Sequence, residues 1–341
     1  MAGTAVGYAT KYVEGIDIGE RAVRWDSSGT AATELDILGT QNVRTRARAL
    51  AVNDDGIAVG FSGPGKRAVR WNSSGTTPTE LELPAFMIPY PATSEAYDVN
   101  QSGTAVGYAS LIRPHSDVRA LRWDGSGSAV TVLGDLGISG GDTVSQAFAL
   151  NDSGTAVGYA GKYVSNKYLG RRAVRWDGSG TVATELEHLG TDNTGTTETI
   201  AFDVNNSGIT VGYAQIFVNQ FPAGSKAVMW KHDALAIDLN TLIDPASGWN
   251  LTEAYTVSDT GWITGTGRFD PDGPNGHEPY RRLFLMQVAQ IPEPTGLILA
   301  ATALACLFVL GNEKSVRRRF TSESNRSLAT PPHNPRAGSG S

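Results

Sequence analysis

The amino-acid sequence predicts an all-β repeat protein, and three observations predict it. A five-residue phrase ending in tryptophan recurs, an asparagine-to-glycine phrase recurs between its copies, and helix-forming runs are scarce before residue 296. The tryptophans stand at 25, 71, 123, 176 and 230, with successive gaps of 46, 52, 53 and 54 residues. A period near 50 residues that carries short β-branched and aromatic runs, each closed by Asn, Asp, Ser or Gly, is the sequence form of a repeated four-stranded unit.

Each unit reads as four strands in order. The first strand leads into Asn53-x-x-Gly56, Asn100-x-x-Gly103, Asn151-x-x-Gly154 and Asn205-x-x-Gly208, with Ser258-Asp-Thr-Gly261 as a worn last copy. Such a step fits a tight hairpin in which glycine supplies a positive φ and the Asn or Asp side chain holds the turn. The second strand crosses Ala-Val-Gly-Tyr, as at 105–108 and 156–159. The third is Arg-Ala-Val-Arg-Trp ending at Trp25, Trp71 and Trp176, Arg-Ala-Leu-Arg-Trp at Trp123 and Lys-Ala-Val-Met-Trp at Trp230, with Arg281-Arg282-Leu283-Phe284 as a decayed sixth copy. Turns follow at Asp26 to Gly29, Asn72 to Gly75, Asp124 to Gly127 and Asp177 to Gly180. Runs such as 33–38 and 184–189 then make the fourth strand. Units of this size stack radially into a β-propeller, here of about six blades, and an open solenoid is the rival arrangement. The first unit begins at Gly3, mid-hairpin, and Met1 to Thr10 has neither a basic n-region nor a long apolar h-region, so the expected start lies upstream of Met1.

After the repeats, Pro292-Glu293-Pro294 precedes an uncharged apolar run at 296–311, and Arg317-Arg318-Arg319 follows it. As a helix, the run would span about 24 Å at 1.5 Å per residue, a short transmembrane helix by length. Pro292 and Pro294 keep the motif extended, and the arginines hold the cytoplasmic side by the positive-inside rule. The chain therefore divides into a repeat domain at 1–290, a sorting region at 291–319 and a disordered polar tail at 320–341. Residues 291–319 resemble the PEP-CTERM sorting signal of exported bacterial proteins. That resemblance implies export, transient anchoring in the bacterial membrane through 296–311, and processing near the motif by an exosortase-like enzyme in bacteria that make extracellular polysaccharide.

The repeats are similar to the HAF repeat of extracellular proteins. The comparable triplets here end at Leu50, Tyr97, Phe148, Phe202 and Tyr255, keeping the alanine and all but one aromatic while lacking the histidine. The resemblance implies an envelope-associated repeat protein and names no reaction.

Composition excludes several function classes. The formal charge is −6, and because 312–341 carries six basic and two acidic side chains, the rest stands at −10, which argues against nucleic acid as a partner. Cys306 is the only cysteine, so neither a disulfide framework nor a cysteine-built zinc site is available. The five histidines share no repeat position, and no phosphate- or dinucleotide-binding motif is present, so no cofactor is expected.

Four places could hold chemistry. Asp98 and Asp203 sit two residues before the repeated asparagine, where other copies have Ala51, Ala149 and Thr256. Facing each other across a channel they would form a hydrolase pair; the expected role is to accept backbone hydrogen bonds beside each turn. Asp270, Asp272, Asn275 and Glu278 form a run of oxygen ligands that calcium could use, without EF-hand spacing, and an exposed loop is the competing reading. The arginines at 24, 70, 122 and 175 are expected to pair with the glutamates at 34, 80 and 185. The segments Leu111 to Val118, Lys162 to Gly170 and Gln215 to Gly224 read as variable loops whose Tyr163, Tyr168, Phe217 and Phe221 suit sugar or protein contact. The sequence points to an exported, non-enzymatic envelope or matrix protein, with a carbohydrate-binding or carbohydrate-active propeller as the alternative.

Overall fold

The computed structural model describes residues 3–26, 32–39, 44–88, 90–111, 117–273, 276 and 278–288. The chain divides into two compact units, Met1–Val288 and Ala289–Ser341, and every described residue belongs to the first. The sorting motif, the apolar run at 296–311, the arginine cluster and the polar tail thus lie outside the described residues. Among the described residues no helix is long and apolar enough to cross a membrane.

Six antiparallel sheets follow one another along the chain, each a simple meander. The first holds β1 (Ala5–Val13), β2 (Ile16–Trp25) and β3 (Ala32–Glu34), and the second β4 (Ala47–Val52), β5 (Ala58–Ser62), β6 (Arg67–Trp71) and β7 (Pro78–Glu80). The third holds β8 (Ala92–Val99), β9 (Ala105–Leu111), β10 (Val118–Trp123) and β11 (Val130–Val132). The fourth contains β12 (Ser145–Leu150), β13 (Ala156–Val164), β14 (Lys167–Trp176) and β15 (Ala183–Glu185). The fifth contains β16 (Thr199–Val204), β17 (Thr210–Val218), β18 (Phe221–Trp230) and β19 (Ala236–Asp238), and the sixth β20 (Trp249–Val257), β21 (Trp262–Phe269) and β22 (Tyr280–Gln287). Four sheets therefore have the expected four strands. Among the described residues the first sheet has no opening strand and the last no closing one.

Five apolar clusters, one per interface between successive sheets, hold the stack together. Trp71, Trp123, Trp176 and Trp230 are fully buried in them. Each indole Nε1 donates to a carbonyl of the preceding repeat, on Asp36, Glu82, Gly134 and Glu187 at 2.8–3.1 Å. The tryptophan thus fills the interface and satisfies its polar atom across it.

Two expected elements differ. The fourth strand has only three residues and stops at Glu34, Glu80 or Glu185. The leucine that follows, at 35, 81, 133, 186 or 239, is almost entirely buried in the interface, and at 35, 81, 133 and 186 its amide makes a last bond to the third strand, at Ala22, Ala68, Ala120 and Ala173, before the chain leaves the sheet. The segments at 162–170 and 215–224 are hairpin extensions of β13–β14 and β17–β18, and not loops. Ser165-Asn166 and Asn219-Gln220, all at positive φ, close them as two-residue turns whose twist matches the strands. Tyr163 and Tyr168 face each other across their hairpin, rings 5.2 Å apart.

Candidate functional site

The inner ends of the sheets converge, and the repeated asparagine joins them. In the second repeat, Asn53 Oδ1 accepts from Ile57 N at 2.9 Å to close its own turn, while Nδ2 donates to the Asn100 carbonyl of the next repeat at 3.0 Å. The same rung continues from Asn100 to Asn151, from Asn151 to Asn205 and from Asn205 to Ser258. In the worn copy Ser258 Oγ takes over the turn-closing role, accepting from Trp262 N at 3.0 Å. The following residues form a second rail, in which the amides of Asp54, Gln101, Asp152 and Asn206 donate to the side chains of Gln101, Asp152, Asn206 and Asp259. These five turns together line one polar cavity of about 310 Å³, so the sheets are arranged around a common axis.

Asp98 and Asp203 sit beside this cavity and stitch the same sheets. Asp98 accepts from Val99 N and, through its other oxygen, from Leu150 N of the next repeat, at 2.8 and 2.9 Å. Asp203 does the same with Val204 N and Val257 N, both at 2.8 Å. Each carboxylate therefore has both oxygens on backbone donors. Although each keeps some exposure toward the axis, the crowded surroundings desolvate it: burial pushes Asp98 up to about 6 against the pull of its two N–H donors, and raises Asp203 likewise.

At 24, 70 and 122 the arginine before the tryptophan has a partner the sequence does not suggest, while Arg175 meets Asp177 of its own repeat at 3.7 Å. Arg122 donates to the carbonyls of Gly178, Gly180, Gly154 and Asp177 in the next repeat, at 2.9–3.2 Å. Arg70 takes the matching carbonyls of Gly125, Gly127, Gly103 and Asp124, and Arg24 those of Ser73, Gly75 and Asn72. The planar guanidinium fork thus clamps the turn between the third and fourth strands one repeat on. The expected pairing with glutamate belongs instead to the first arginine of the phrase: Arg21 meets Glu34 at 3.6 Å, Arg67 meets Glu80 at 2.7 Å and Arg172 meets Glu185 at 3.1 Å. Met229 replaces the clamping arginine where, among the described residues, the next sheet has no fourth strand and hence no such turn.

Away from the turns, the axis is lined by rings. Each of β4, β8, β12, β16 and β20 carries a β-bulge at an equivalent place, setting Leu50, Tyr97, Phe148, Phe202 or Tyr255 out of register, and β20 has a second shift at Thr252. A bulge re-aims the extra side chain, here into a contiguous row. Phe148 lies 5.6 Å from Tyr97 and 6.1 Å from Phe202, and Phe202 lies 5.7 Å from Tyr255. Tyr108, Tyr159 and Tyr213 of the second strands add a second tier at 5.5–5.8 Å. The first-strand rings are only half-buried, so their faces and edges border the axial space. Burial holds the Tyr97 and Tyr108 phenols protonated, and Tyr108 donates to Glu95 at 2.8 Å. These positions stand out in the sequence as repeat letters, but their aim does not, because a bulge leaves no mark in residue type.

Asp270, Asp272 and Glu278 lie in the connection from β21 to β22, while Asn275 lies outside the described residues. Asp270 Oδ1 accepts from Gly273 N at 2.9 Å, closing a local turn. Among the described residues no group of three or more His, Cys, Asp or Glu side chains is placed to hold a metal ion.

No protein-family model and no curated relative matches the chain. Among solved structures, the chain is similar to the β-propeller domain of the Trilobed protease from Pyrococcus furiosus, described as having an open velcro topology, at 12% identity, 81% and 75% coverage of the two chains and a TM-score of 0.45. It is also similar to a Mycobacterium tuberculosis puromycin-hydrolyzing peptidase, at 11% identity, 84% and 45% coverage and a TM-score of 0.43. A chain of the nidogen/laminin complex matches at 11% identity, 78% and 86% coverage and a TM-score of 0.35.

Proposed function

We propose that this chain is a non-enzymatic repeat scaffold of the cell exterior, a propeller-type stack that stays open between its last and first sheets and is delivered by the Pro292-Glu293-Pro294 sorting region with its 296–311 membrane helix. One observation carries the scaffold reading. The polar groups the repeats share, namely the asparagine rungs, the Asp98 and Asp203 stitches and the Arg24, Arg70 and Arg122 clamps, are engaged with backbone of a neighbouring repeat and build the stack. The openness reading rests on Leu283 and Leu285, which remain 78% and 64% exposed on the last sheet. The test is fractionation of the producing cells with mass spectrometry of the mature termini. Protein outside the inner membrane with a terminus near Pro292 supports delivery and exosortase-like processing, whereas an intact cytoplasmic chain ending at Ser341 refutes both.

A second reading, binding of extracellular polysaccharide along the axis, is favoured by the bulge-borne ring row, since half-exposed aromatic faces suit sugar rings. A glycan array probed with the wild-type chain and Phe148→Ala separates it from a ligand-free scaffold. Hydrolysis of a bound glycan that disappears in an Asp98→Asn, Asp203→Asn double variant would move the protein to the enzymes.

A further inference from the structure

The sixth repeat departs from the others, and its departure builds a cleft. Two short 3-10 helices, Leu239–Leu242 and Pro245–Ser247, precede β20, in place of the plain connection seen earlier. They are fastened from several sides: Asp238 and Asp244 cap them through Asn240 N and Ala246 N at 2.9 Å, and Asn240 bonds both backbone groups of Leu251 at 2.7 and 2.9 Å. Gly248 lies at φ 73, and a Cβ there would come within 2.1 Å of the Asp270 carbonyl, so the insertion and the β21–β22 connection meet backbone to backbone. Asp270 N donates to the Gly248 carbonyl at 2.8 Å and locks that approach.

Between them lies an open cleft of about 520 Å³, walled by Pro245, Pro271 and Pro279 and lined by Trp249, Asn250, Arg268 and Asp270. The volume is in the range that holds a small ligand. Trp249 is backed by Phe269, rings 4.9 Å apart, so the indole is a fixed platform. The prolines cannot change φ, which keeps the walls rigid. Around the platform stand an amide, a guanidinium and a carboxylate, planar groups that donate and accept in pairs and match adjacent hydroxyls. Among the described residues the lining holds one cation, Arg268, and one carboxylate, Asp270, and Lys226 Nζ donates to Asn250 Oδ1 at 2.7 Å from outside it, so the lining itself carries no net charge.

We propose that this cleft binds a neutral saccharide, its apolar ring face on Trp249 and its hydroxyls on Asn250, Arg268 and Asp270. The site is separate from the axial ring row and does not depend on it. The test is calorimetric titration of the full-length chain, kept in solution with a sugar-free polyoxyethylene detergent, against α- and β-linked disaccharides of glucose, galactose and mannose. At least one should bind with a dissociation constant of about 1 mM or tighter. Trp249→Ala and, separately, the surface change Asn250→Ala should each weaken it about tenfold or more, the usual loss for removing a platform or a paired polar contact. Asn250→Ala keeps the result interpretable if Trp249→Ala does not fold. Phe148→Ala should leave this binding unchanged. The inference is overturned if no disaccharide binds, if binding survives both cleft variants, or if a proline-rich peptide titrates into the cleft and the sugars do not. Binding lost only in Phe148→Ala would sink the cleft and leave the axial reading standing.

Discussion

Arg122 and Met229 occupy the same repeat position, and the difference between them is set by what the next repeat offers. Arg122 faces three carbonyls of the turn after the third strand and the Gly154 carbonyl of the hairpin before it, while among the described residues Met229 faces a sheet without that turn. Arg122→Met should therefore cost about 3 kcal/mol in urea unfolding, because buried carbonyls lose a charged donor, while Met229→Arg should gain nothing. Equal, near-zero effects would show that the clamp is decorative. Asp98 gives a pH signature of opposite sign to an ordinary paired carboxylate. Its folded value of about 6 lies above the unfolded 3.8, so its contribution is fully present below the unfolded value and is lost as pH rises through about 6. The stability difference between wild type and Asp98→Ala should shift against the wild type by no more than about 3 kcal/mol between pH 4 and pH 7, and a flat difference would refute the shift. The sequence makes both residues visible as periodic letters. It hides their partners, because those partners are carbonyls some fifty residues away, and a carbonyl has no residue type.

At the scale of the element, the Val-Gly step of the second strand is explained by the bulge opposite it. Gly158 pairs with Ala147 where β12 bulges, and a Cβ on Gly158 would sit 1.9 Å from the Gln146 carbonyl. Gly60, Gly107 and Gly212 meet the same 1.9 Å approach in their own sheets. Gly158→Ala should thus cost about 3 kcal/mol or more, through forced backbone displacement. Gly180→Ala, with nothing near its Cβ, should shift the thermal midpoint little. If the two variants melt alike, the bulge does not impose the glycine. Turn chemistry was legible in the sequence: Gly56, Gly103, Gly154, Gly208 and Gly261 all take φ between 74 and 80. The bulge was not, nor was the length of the fourth strand, since Leu35 and Leu186 continue the apolar pattern and give one last amide to the third strand, at Ala22 and Ala173, while their side chains fill the interface. The sixth-repeat cleft was half legible: Asp270, Asp272 and Glu278 drew notice as oxygen ligands, whereas Trp249 and Asn250 carried no signal without the fold to bring them alongside.

At the scale of the whole domain, contacts run from each sheet to the next, and stability in such an array is a sum of unit terms and nearest-neighbour interfaces. In the open stack proposed above, inner sheets are covered on both faces and end sheets on one. The burial of equivalent residues records this: the alanine at 68, 120, 173 and 227 is completely buried, while Leu283 at the corresponding place in the last sheet is 78% exposed. On the other end β1 is largely exposed along its length, whereas the matching β5 is buried throughout. Unfolding should then begin from the ends. Native-state hydrogen exchange should find amides of β9 and β13 protected longest, and those of β1 and β22 opening first, with the asparagine rungs transmitting protection inward. Exchange that is uniform over all six sheets would mean that the last sheet closes on the first and that the stack is a sealed ring. A second ordering, with β20 to β22 more protected than β16 to β18, would place an occupant on the exposed Leu283 and Leu285 face, and titrating the protein concentration would tell whether that occupant is another copy of the chain, since only then does protection grow with concentration.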